Sequence, residues 1–222
     1  MLSPSKRLSV WLMPPEPAKS YLAAVQRDLI ERHHPNNLPS FPPHVTLIGG
    51  VPITECVHMD EILANESEDE AHEEAARLVL KRVEGSLLAA QGITCEFDRD
   101  KGIVSGRSFV GIDDTEGKVK WNQSCVAILK RHRSLENAMK VVDEALYSST
   151  GGDRPRSVER HFKPPLGEPH FSFVYGNDPS LIPETLQCPD DFVCKEVSLW
   201  WTHPPTLDGV PQWKEVGTIK LA

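Results

Sequence analysis

The sequence lacks the long apolar segments and paired cysteines that mark membrane-spanning or secreted proteins. No apolar run approaches the roughly 20 residues that a transmembrane helix needs, and the apolar stretch near the N-terminus is too short for a signal peptide. The five cysteines are odd in number and form no Cys-x-x-Cys pair, which favours free thiols over a disulfide framework or a zinc site. These absences point to the cytosol or the nucleus, and we expect a cytoplasmic protein.

A basic surface and the common nucleophile and phosphate-loop motifs are also missing. The 24 Lys and Arg residues are outnumbered by 32 Asp and Glu, for a net charge of −8. This balance argues against a long nucleic-acid partner or a membrane surface, whereas a small anionic ligand can still bind a locally positive pocket. No Gly-x-Ser-x-Gly elbow and no P-loop are present. We expect a monomer that acts on a small anionic substrate.

Two short stretches that resemble each other stand out against this background. Residues 43–49 and 169–176 both read proline, histidine, apolar, hydroxyl, apolar, apolar, and both end at glycine. Side chains alternate between the two faces of a strand, so His44 shares a face with Thr46, and His170 shares a face with Ser172. If the two strands are neighbours, both imidazoles and both hydroxyls converge on one point.

The pair carries more weight than either histidine alone, because a lone histidine is more often structural than catalytic. Two chance matches to this pattern in a chain of this composition are about a one-in-a-hundred event. The structural alternative is that both histidines merely cap strands beside prolines. The other histidines lack a matched partner and are expected at the surface; they are His33, His34, His58, His72, His132, His161 and His203. Neither motif supplies a carboxylate or thiol at ligand spacing, so no metal and no cofactor are predicted.

The order of predicted elements repeats. A strand at 6–13, a helix at 17–34 and the first histidine strand form one unit (6–52), and a strand at 119–129, a helix at 134–147 and the second histidine strand form the other (119–176). This pattern predicts an α+β class and a single bilobal domain over 1–222. Its two antiparallel sheets would face a central cleft, with helices on the outer faces. The remaining predicted elements are a helix at 66–91 with an acidic start, strands at 93–98 and 103–111, and a final hairpin of 192–202 with 211–220.

Two facing histidines suit a concerted displacement at phosphorus. One neutral imidazole takes a proton from the nucleophile while one imidazolium protonates the leaving oxygen, and an unperturbed pKa of about 6.5 lets both forms coexist near neutral pH. Thr46 and Ser172 would hold the non-bridging oxygens, where charge grows in the transition state. A phosphodiester with a strained ring is the natural substrate, and no metal is required.

These paired motifs resemble the two-histidine (2H) phosphoesterase superfamily, and within it the cyclic phosphodiesterases of yeast and plants. The similar segments are 9–14, 41–46, 169–175 and 213–216. The resemblance implies a bilobal fold that hydrolyses ADP-ribose 1″,2″-cyclic phosphate to ADP-ribose 1″-phosphate, downstream of tRNA splicing. Nucleoside 2′,3′-cyclic phosphates would give 2′-phosphates. It implies that His44 and His170 are the acid–base pair and that Thr46 and Ser172 bind the phosphate.

The chain departs from a minimal member of that group in segments 55–91 and 148–168, which are longer and would form lids or decorate the lobes. The second segment carries basic residues: Arg154, Arg156, Arg160, His161 and Lys163. One interpretation of this segment is a mobile flap that reaches the diphosphate of a substrate. The other, which we favour, is an exposed surface loop. Tyr175 is a possible substrate contact, although strict alternation puts it on the face away from His170 unless the strand twists or bulges.

Two alternatives remain open from the sequence. One is a 2H enzyme that acts on RNA ends, as a 2′,3′-cyclic phosphodiesterase or a 3′-end nuclease. The other is a non-catalytic nucleotide-binding module. The residues do not decide which histidine is the acid, and the resemblance favours His170 activating water with His44 protonating the leaving oxygen. The physiological substrate and the base preference are equally undecided.

Overall fold

The computed structural model describes residues 6–32, 38–63, 67–104, 108–110, 119–147, 168–176, 186–204 and 207–222. Within these ranges the helices are α1 (Ala18–Arg32), α2 (Ile53–Cys56), α3 (Met59–Leu63), α4 (Glu68–Leu87) and α5 (Arg133–Tyr147), with a 3₁₀ helix at Leu207–Gln212. The strands are β1 (Arg7–Met13), β2 (Val45–Pro52), β3 (Ile93–Cys95), β4 (Ile103–Val104), β5 (Ser108–Val110), β6 (Val119–Ile128), β7 (His170–Gly176), β8 (Phe192–Cys194), β9 (Glu196–Trp201) and β10 (Lys214–Lys220). The predicted α+β class is confirmed.

The main sheet places the two histidine strands side by side. Its order is β10-β9-β1-β2-β7-β6-β4, with β5 also paired to β6, and all of these pairs are antiparallel. The two predicted sheets are therefore joined into one, through the Val45–Phe171 pair of β2 and β7. β3 and β8 form a separate two-stranded sheet.

The strand–helix–strand order appears twice around this junction. β1 and β2 flank α1 in sequence and pair with each other, and β6 and β7 do the same around α5. The sheet order β1-β2-β7-β6 is thus symmetric about the β2–β7 pair. The division into two lobes with repeat units 6–52 and 119–176 stays a prediction.

The hydrophobic core lies against one face of the sheet. Alternate residues of the central strands enter it, including Val45 and Leu47 of β2 and Phe171 and Phe173 of β7. The helices complete it with Leu22 and Leu29 of α1, Val79 and Val83 of α4, and Leu135 and Val142 of α5. Burial of each such side chain stabilises the fold by about 1.5–3 kcal/mol. The core thereby fixes which face of β2 and β7 carries the histidines.

Several predicted boundaries are wrong in detail. The helix predicted over 66–91 is α4, which begins after Ser67, where the Glu70 carboxylate accepts hydrogen bonds from the Ser67 hydroxyl at 2.6 Å and its N–H at 3.3 Å. The strand predicted over 192–202 divides into β8 and β9, which belong to different sheets. The strand predicted to start at 211 begins at Lys214, because a 3₁₀ turn precedes it. The pairing of β9 with β10 confirms the predicted hairpin.

Strand signals at 93–98 and 103–111 correspond to the shorter β3, β4 and β5. The basic segment proposed as a flap, 148–168, lies outside the described residues apart from Glu168. Within the described ranges, no helix is long and apolar enough to cross a membrane.

Candidate active site

The four polar residues predicted from the motifs come together at the centre of the sheet. His44 immediately precedes β2 and His170 is the first residue of β7. Val45 lies opposite Phe171 in an antiparallel pair, so one step along each strand sets His44 level with Ser172 and Thr46 level with His170. Val45 and Phe171 point into the core, so these four neighbours take the other face.

Each imidazole is held by the same local hydrogen bond. Nδ1 of His44 lies 2.7 Å from the carbonyl oxygen of Pro42, and Nδ1 of His170 lies 3.1 Å from that of Glu168. A carbonyl oxygen only accepts, so Nδ1 carries the proton in both neutral rings and Nε2 is the basic nitrogen. The intervening proline of each Pro-His pair fixes the extended backbone that brings this carbonyl within reach. The repeated motif therefore specifies a tautomer as well as a residue type.

Burial makes both rings hard to protonate in the unliganded protein. It lowers the pKa of His44 from 6.5 to about 3, assisted by repulsion from His170 and opposed by the bond to Pro42. It also lowers the pKa of His170, which the hydrogen bond to Glu168 partly offsets. The sequence-based expectation of coexisting neutral and charged rings is thus wrong for the unliganded state, in which both are neutral at pH 7. An anionic phosphate beside them would raise both pKa values.

Trp11 is a site residue that the motif analysis missed. Its indole stacks on the imidazole of His44 with 3.6 Å between ring centroids and 10° between planes, and Trp200 stacks on its other side at 4.6 Å. Trp11 lies opposite Thr46 in the β1–β2 ladder. Together with the Pro42 carbonyl, this stack fixes both the plane and the rotation of a ring that is only 1% exposed. Alternation along β1 predicts the face of Trp11, but only the pairing of β1 with β2 brings it to His44.

Tyr175 lies on the histidine side of β7 because the strand departs from strict alternation. The β6–β7 register shifts on both sides of the Cys125–Val174 pair, and both Phe173 and Val174 enter the core. The Tyr175 hydroxyl interacts with the Ser172 side chain, which lowers its pKa, while burial raises that pKa more strongly. Its ring stacks on Phe41 at 4.1 Å, and Phe41 in turn meets His44 edge-on at 5.5 Å. Tyr175 thus lies between Ser172 and Phe41, the ring that contacts His44.

The backbone before His170 is anchored on both sides. The Pro169 carbonyl accepts a hydrogen bond from the Leu129 N–H at 2.8 Å. The Glu168 side chain forms an ion pair with Lys101, which lies in the turn before β4. These contacts hold the peptide whose carbonyl orients the His170 ring.

The remaining histidines that are described do not join this site. His72 was expected at the surface, but it is buried on α4, where its Nδ1 lies 2.7 Å from the Glu68 carbonyl oxygen and its ring meets Trp201. His58 is exposed, and His132 and His203 are partly exposed. His33, His34 and His161 lie outside the described residues.

The described part of the chain contains neither a cluster of metal ligands nor a disulfide. No group of three His, Cys, Asp or Glu side chains in those ranges is placed to hold a metal ion. All five cysteines are free thiols, with the sulfurs of Cys95 and Cys194 3.9 Å apart in the core. The expected absence of a cofactor, the monomeric state and the cytoplasmic location stay predictions.

Comparison with known sequences decides the family. The profile of cyclic phosphodiesterase-like proteins matches residues 7–184, a range that includes Trp11 and both histidine motifs. The chain belongs to the cyclic phosphodiesterase-like family. The assignment to the 2H phosphoesterase superfamily, made from the paired motifs, is thereby confirmed. No curated protein sequence matches this family member.

Solved structures similar to this cyclic phosphodiesterase-like protein share little sequence with it. Apo LigT of E. coli is 14% identical over 99% of both chains, with a TM-score of 0.45. TT0787 of Thermus thermophilus is 13% identical over 97% of both chains, with a TM-score of 0.47. Usb1 of Kluyveromyces marxianus is 12% identical over 97% of this chain and 98% of its own, with a TM-score of 0.46.

Proposed function

We propose that this protein hydrolyses small cyclic phosphodiesters by a metal-independent two-histidine mechanism. The substrates would be ADP-ribose 1″,2″-cyclic phosphate, opened to ADP-ribose 1″-phosphate, and nucleoside 2′,3′-cyclic phosphates, opened to 2′-phosphates. The observation that carries the proposal is the pair of imidazoles at the starts of adjacent strands, each with Nδ1 hydrogen-bonded to a backbone carbonyl, so that Nε2 is the basic nitrogen. Membership of the cyclic phosphodiesterase-like family supports this reaction class.

In the proposed step, neutral His170 accepts a proton from water through Nε2 as the water oxygen bonds to phosphorus. The bond from phosphorus to one ring oxygen breaks, and the His44 imidazolium donates its proton to that oxygen. The product is a phosphomonoester, and the two rings have exchanged protonation states. Thr46 and Ser172 donate hydrogen bonds to the non-bridging oxygens, where negative charge increases. Their places beside the two rings support this role.

The acid must acquire its proton when substrate binds. Both imidazoles are neutral in the unliganded protein because burial lowers their pKa values. A bound phosphodiester anion favours the charged ring and draws in one proton from solvent. The indole of Trp11 then favours the cation on His44, since the face of an aromatic ring attracts positive charge. This contact supports His44 as the acid and leaves His170 as the base.

Substituting each histidine separately tests the proposal. His44→Gln and His170→Gln should each lower kcat for adenosine 2′,3′-cyclic phosphate at least about 100-fold, because one proton transfer is lost. His58→Gln, which changes an exposed histidine outside the site, serves as the matched control and should keep normal turnover. Circular dichroism checks that the variants fold. Near-normal activity in either site variant would contradict the acid–base assignment.

A further inference from the structure

One half of the candidate site is closed to solvent. His44 is 1% exposed and Ser172 is 3% exposed, whereas Thr46 and His170 are partly exposed. The antiparallel register sets His44 level with Ser172, so one row of the site is covered while the other is open. A phosphate oxygen must come within about 3 Å of any group that gives it a proton or a hydrogen bond. The covered row therefore has to open before a phosphodiester can reach it.

Five aromatic side chains form a closed circuit of contacts at the covered row. Trp11 stacks on His44 with 3.6 Å between ring centroids, and Phe41 meets His44 edge-on at 5.5 Å. Phe41 also stacks on Tyr175 at 4.1 Å. Trp213 completes the circuit, at 6.1 Å from Trp11 and 6.3 Å from Tyr175. Of the five, Trp213 alone comes from the connection between β9 and β10, so the circuit depends on where this connection lies.

The 3₁₀ helix of that connection, Leu207–Gln212, lies against the same aromatic side chains, and we call it the cover. Its Val210 is 3% exposed and clusters with Phe41 and Tyr175, and its Leu207 packs against this cluster. Burial of these apolar side chains favours the closed position. Opening exposes them to water, so the strength of this packing sets the fraction of molecules that are open.

Hydrogen bonds within the connection give the cover a defined shape. The Trp213 N–H donates to the Val210 carbonyl oxygen at 3.1 Å, and the Trp213 indole N–H donates to the Pro204 carbonyl oxygen at 2.9 Å. The strand before the connection is anchored by the Thr202 N–H, which donates to the Arg7 carbonyl oxygen at 2.9 Å, and β10 follows it in the same sheet. These bonds allow the cover to move as a unit between two fixed strands.

We propose that the cover is a gate, which closes the row of His44 and Ser172 in the unliganded protein and moves away to admit a phosphodiester. The inference rests on the proposed function, because it assumes that the phosphate contacts both members of this row. Only the open fraction of the protein can bind substrate, so the apparent affinity falls in proportion to that fraction. Weaker packing of the cover should therefore increase access to His44 and lower KM.

Labelling with diethyl pyrocarbonate measures access to His44 independently of activity. The reagent transfers an ethoxycarbonyl group to the unprotonated nitrogen of a neutral imidazole, which in His44 is Nε2. At pH 7 and with less than one label per chain, peptide mass spectrometry gives the rate at each histidine, with the exposed His58 as the internal standard. In the unmodified protein we expect His44 to react at least about tenfold more slowly than His58, because only open molecules react.

Val210→Ala weakens the cover by removing two methyl groups from its contact with the aromatic rings. It should speed His44 labelling about five- to tenfold, since the open fraction rises as buried apolar surface is lost. KM for adenosine 2′,3′-cyclic phosphate should fall by a similar factor, and kcat should change less than about twofold. Leu207→Ala should act in the same direction. The matched control is Val79→Ala, which truncates a buried valine of α4 and should leave His44 labelling and KM unchanged.

Three results would overturn the inference while leaving the proposed function intact. Labelling of His44 as fast as that of His58 in the unmodified protein would show that the row is open without any movement. Unchanged His44 labelling in both cover variants would show that other residues close the row. Faster labelling with unchanged KM would show that opening does not limit substrate binding. Failure of the unmodified protein to hydrolyse the cyclic nucleotide would instead refute the proposed function, and with it the role of the cover as a gate for substrate.

Discussion

His44 is the most constrained side chain of the site. The Pro42 carbonyl fixes its tautomer, the Trp11 indole covers one face, and the edge of Phe41 limits its rotation. His170 has the equivalent carbonyl bond but is more exposed to solvent. The two rings therefore have the same tautomer but differ in solvent exposure and in the number of ring contacts. This difference suits them to different roles in one proton-transfer step.

Removal of the stacked indole tests whether Trp11 positions the His44 ring for catalysis. Trp11→Leu should lower kcat about tenfold or more with a smaller change in KM, because the proton donor loses its fixed plane while the phosphate contacts remain. Trp11→Phe keeps an aromatic face and should restore most of the rate. Steady-state kinetics on a 2′,3′-cyclic nucleotide measures both constants, with Trp213→Phe as the control, since that ring is 6.1 Å from Trp11 and tilted against it. A change confined to KM would show that Trp11 binds substrate and does not position His44.

Alternation along a strand is sufficient to predict that His44 shares a face with Thr46, and His170 with Ser172. The role of Trp11 was not predictable in this way, because it depends on β1 lying next to β2. The low pKa of His44 was not predictable either, because it follows from burial by residues distant in sequence. The local sequence pattern thus identifies the reacting groups, whereas their pKa values and ring contacts depend on the fold.

At the scale of elements, β7 is the strand in which register matters most. It pairs with β2 through Val45–Phe171 and with β6 through a ladder whose register shifts around Val174. This irregularity places Tyr175 beside Ser172, on the side that strict alternation forbids. The sequence alternates only as far as Phe173 and continues with Val174 and Tyr175, so the side-chain pattern does not specify which of these residues faces the core.

Tyr175→Phe tests how much the Tyr175 hydroxyl, placed by the shifted register, contributes to stability and activity. The change removes a polar hydroxyl from a buried ring beside Ser172, so we expect a loss of about 1 kcal/mol in the free energy of unfolding. The Phe41 stack should survive. Activity should fall about tenfold or less, because the Ser172 hydroxyl loses a neighbouring polar group but remains present. Urea unfolding and kinetics on the same preparation give both quantities, and an unchanged free energy of unfolding would show that the Tyr175 hydroxyl makes no stabilising polar contact.

Other element boundaries illustrate the limits of periodicity. The amphipathic pattern of α5 was predicted as 134–147 and is observed as Arg133–Tyr147. By contrast, the single strand predicted over 192–202 divides into Phe192–Cys194 and Glu196–Trp201, which join different sheets. A period of two shows which side chains share a face, but it does not specify the neighbouring strand.

At the scale of the whole molecule, an acidic protein places the His44 imidazole in its interior beside the half-buried ring of His170. The net charge of −8 favours a small anionic substrate over a long nucleic acid, which attracts proteins of the opposite charge balance. Burial of the histidines also ties the stability of the entire fold to pH. The folded-state pKa of His44, about 3, lies below its unfolded value of 6.5, so the unfolded chain binds more protons as the pH falls between these values.

Stability contributed by neutral His44 is therefore complete above pH 6.5 and is lost on acidification. Between pH 7 and pH 5 the loss for this group is about 2 kcal/mol. His44→Gln should lack this part of the pH dependence, and His58→Gln should retain it. Urea unfolding at both pH values measures the difference, and equal pH dependence in His44→Gln and the unmodified protein would refute the buried neutral histidine.

We propose that the two histidines open a cyclic phosphodiester by adding water. Phosphorus NMR of adenosine 2′,3′-cyclic phosphate incubated with the protein in excess chelator tests it most directly, because the spectrum shows both turnover and the position of the phosphate. We predict complete conversion to adenosine 2′-phosphate without added metal. An unchanged cyclic phosphate, a 3′-phosphate product or activity that the chelator abolishes would contradict the account.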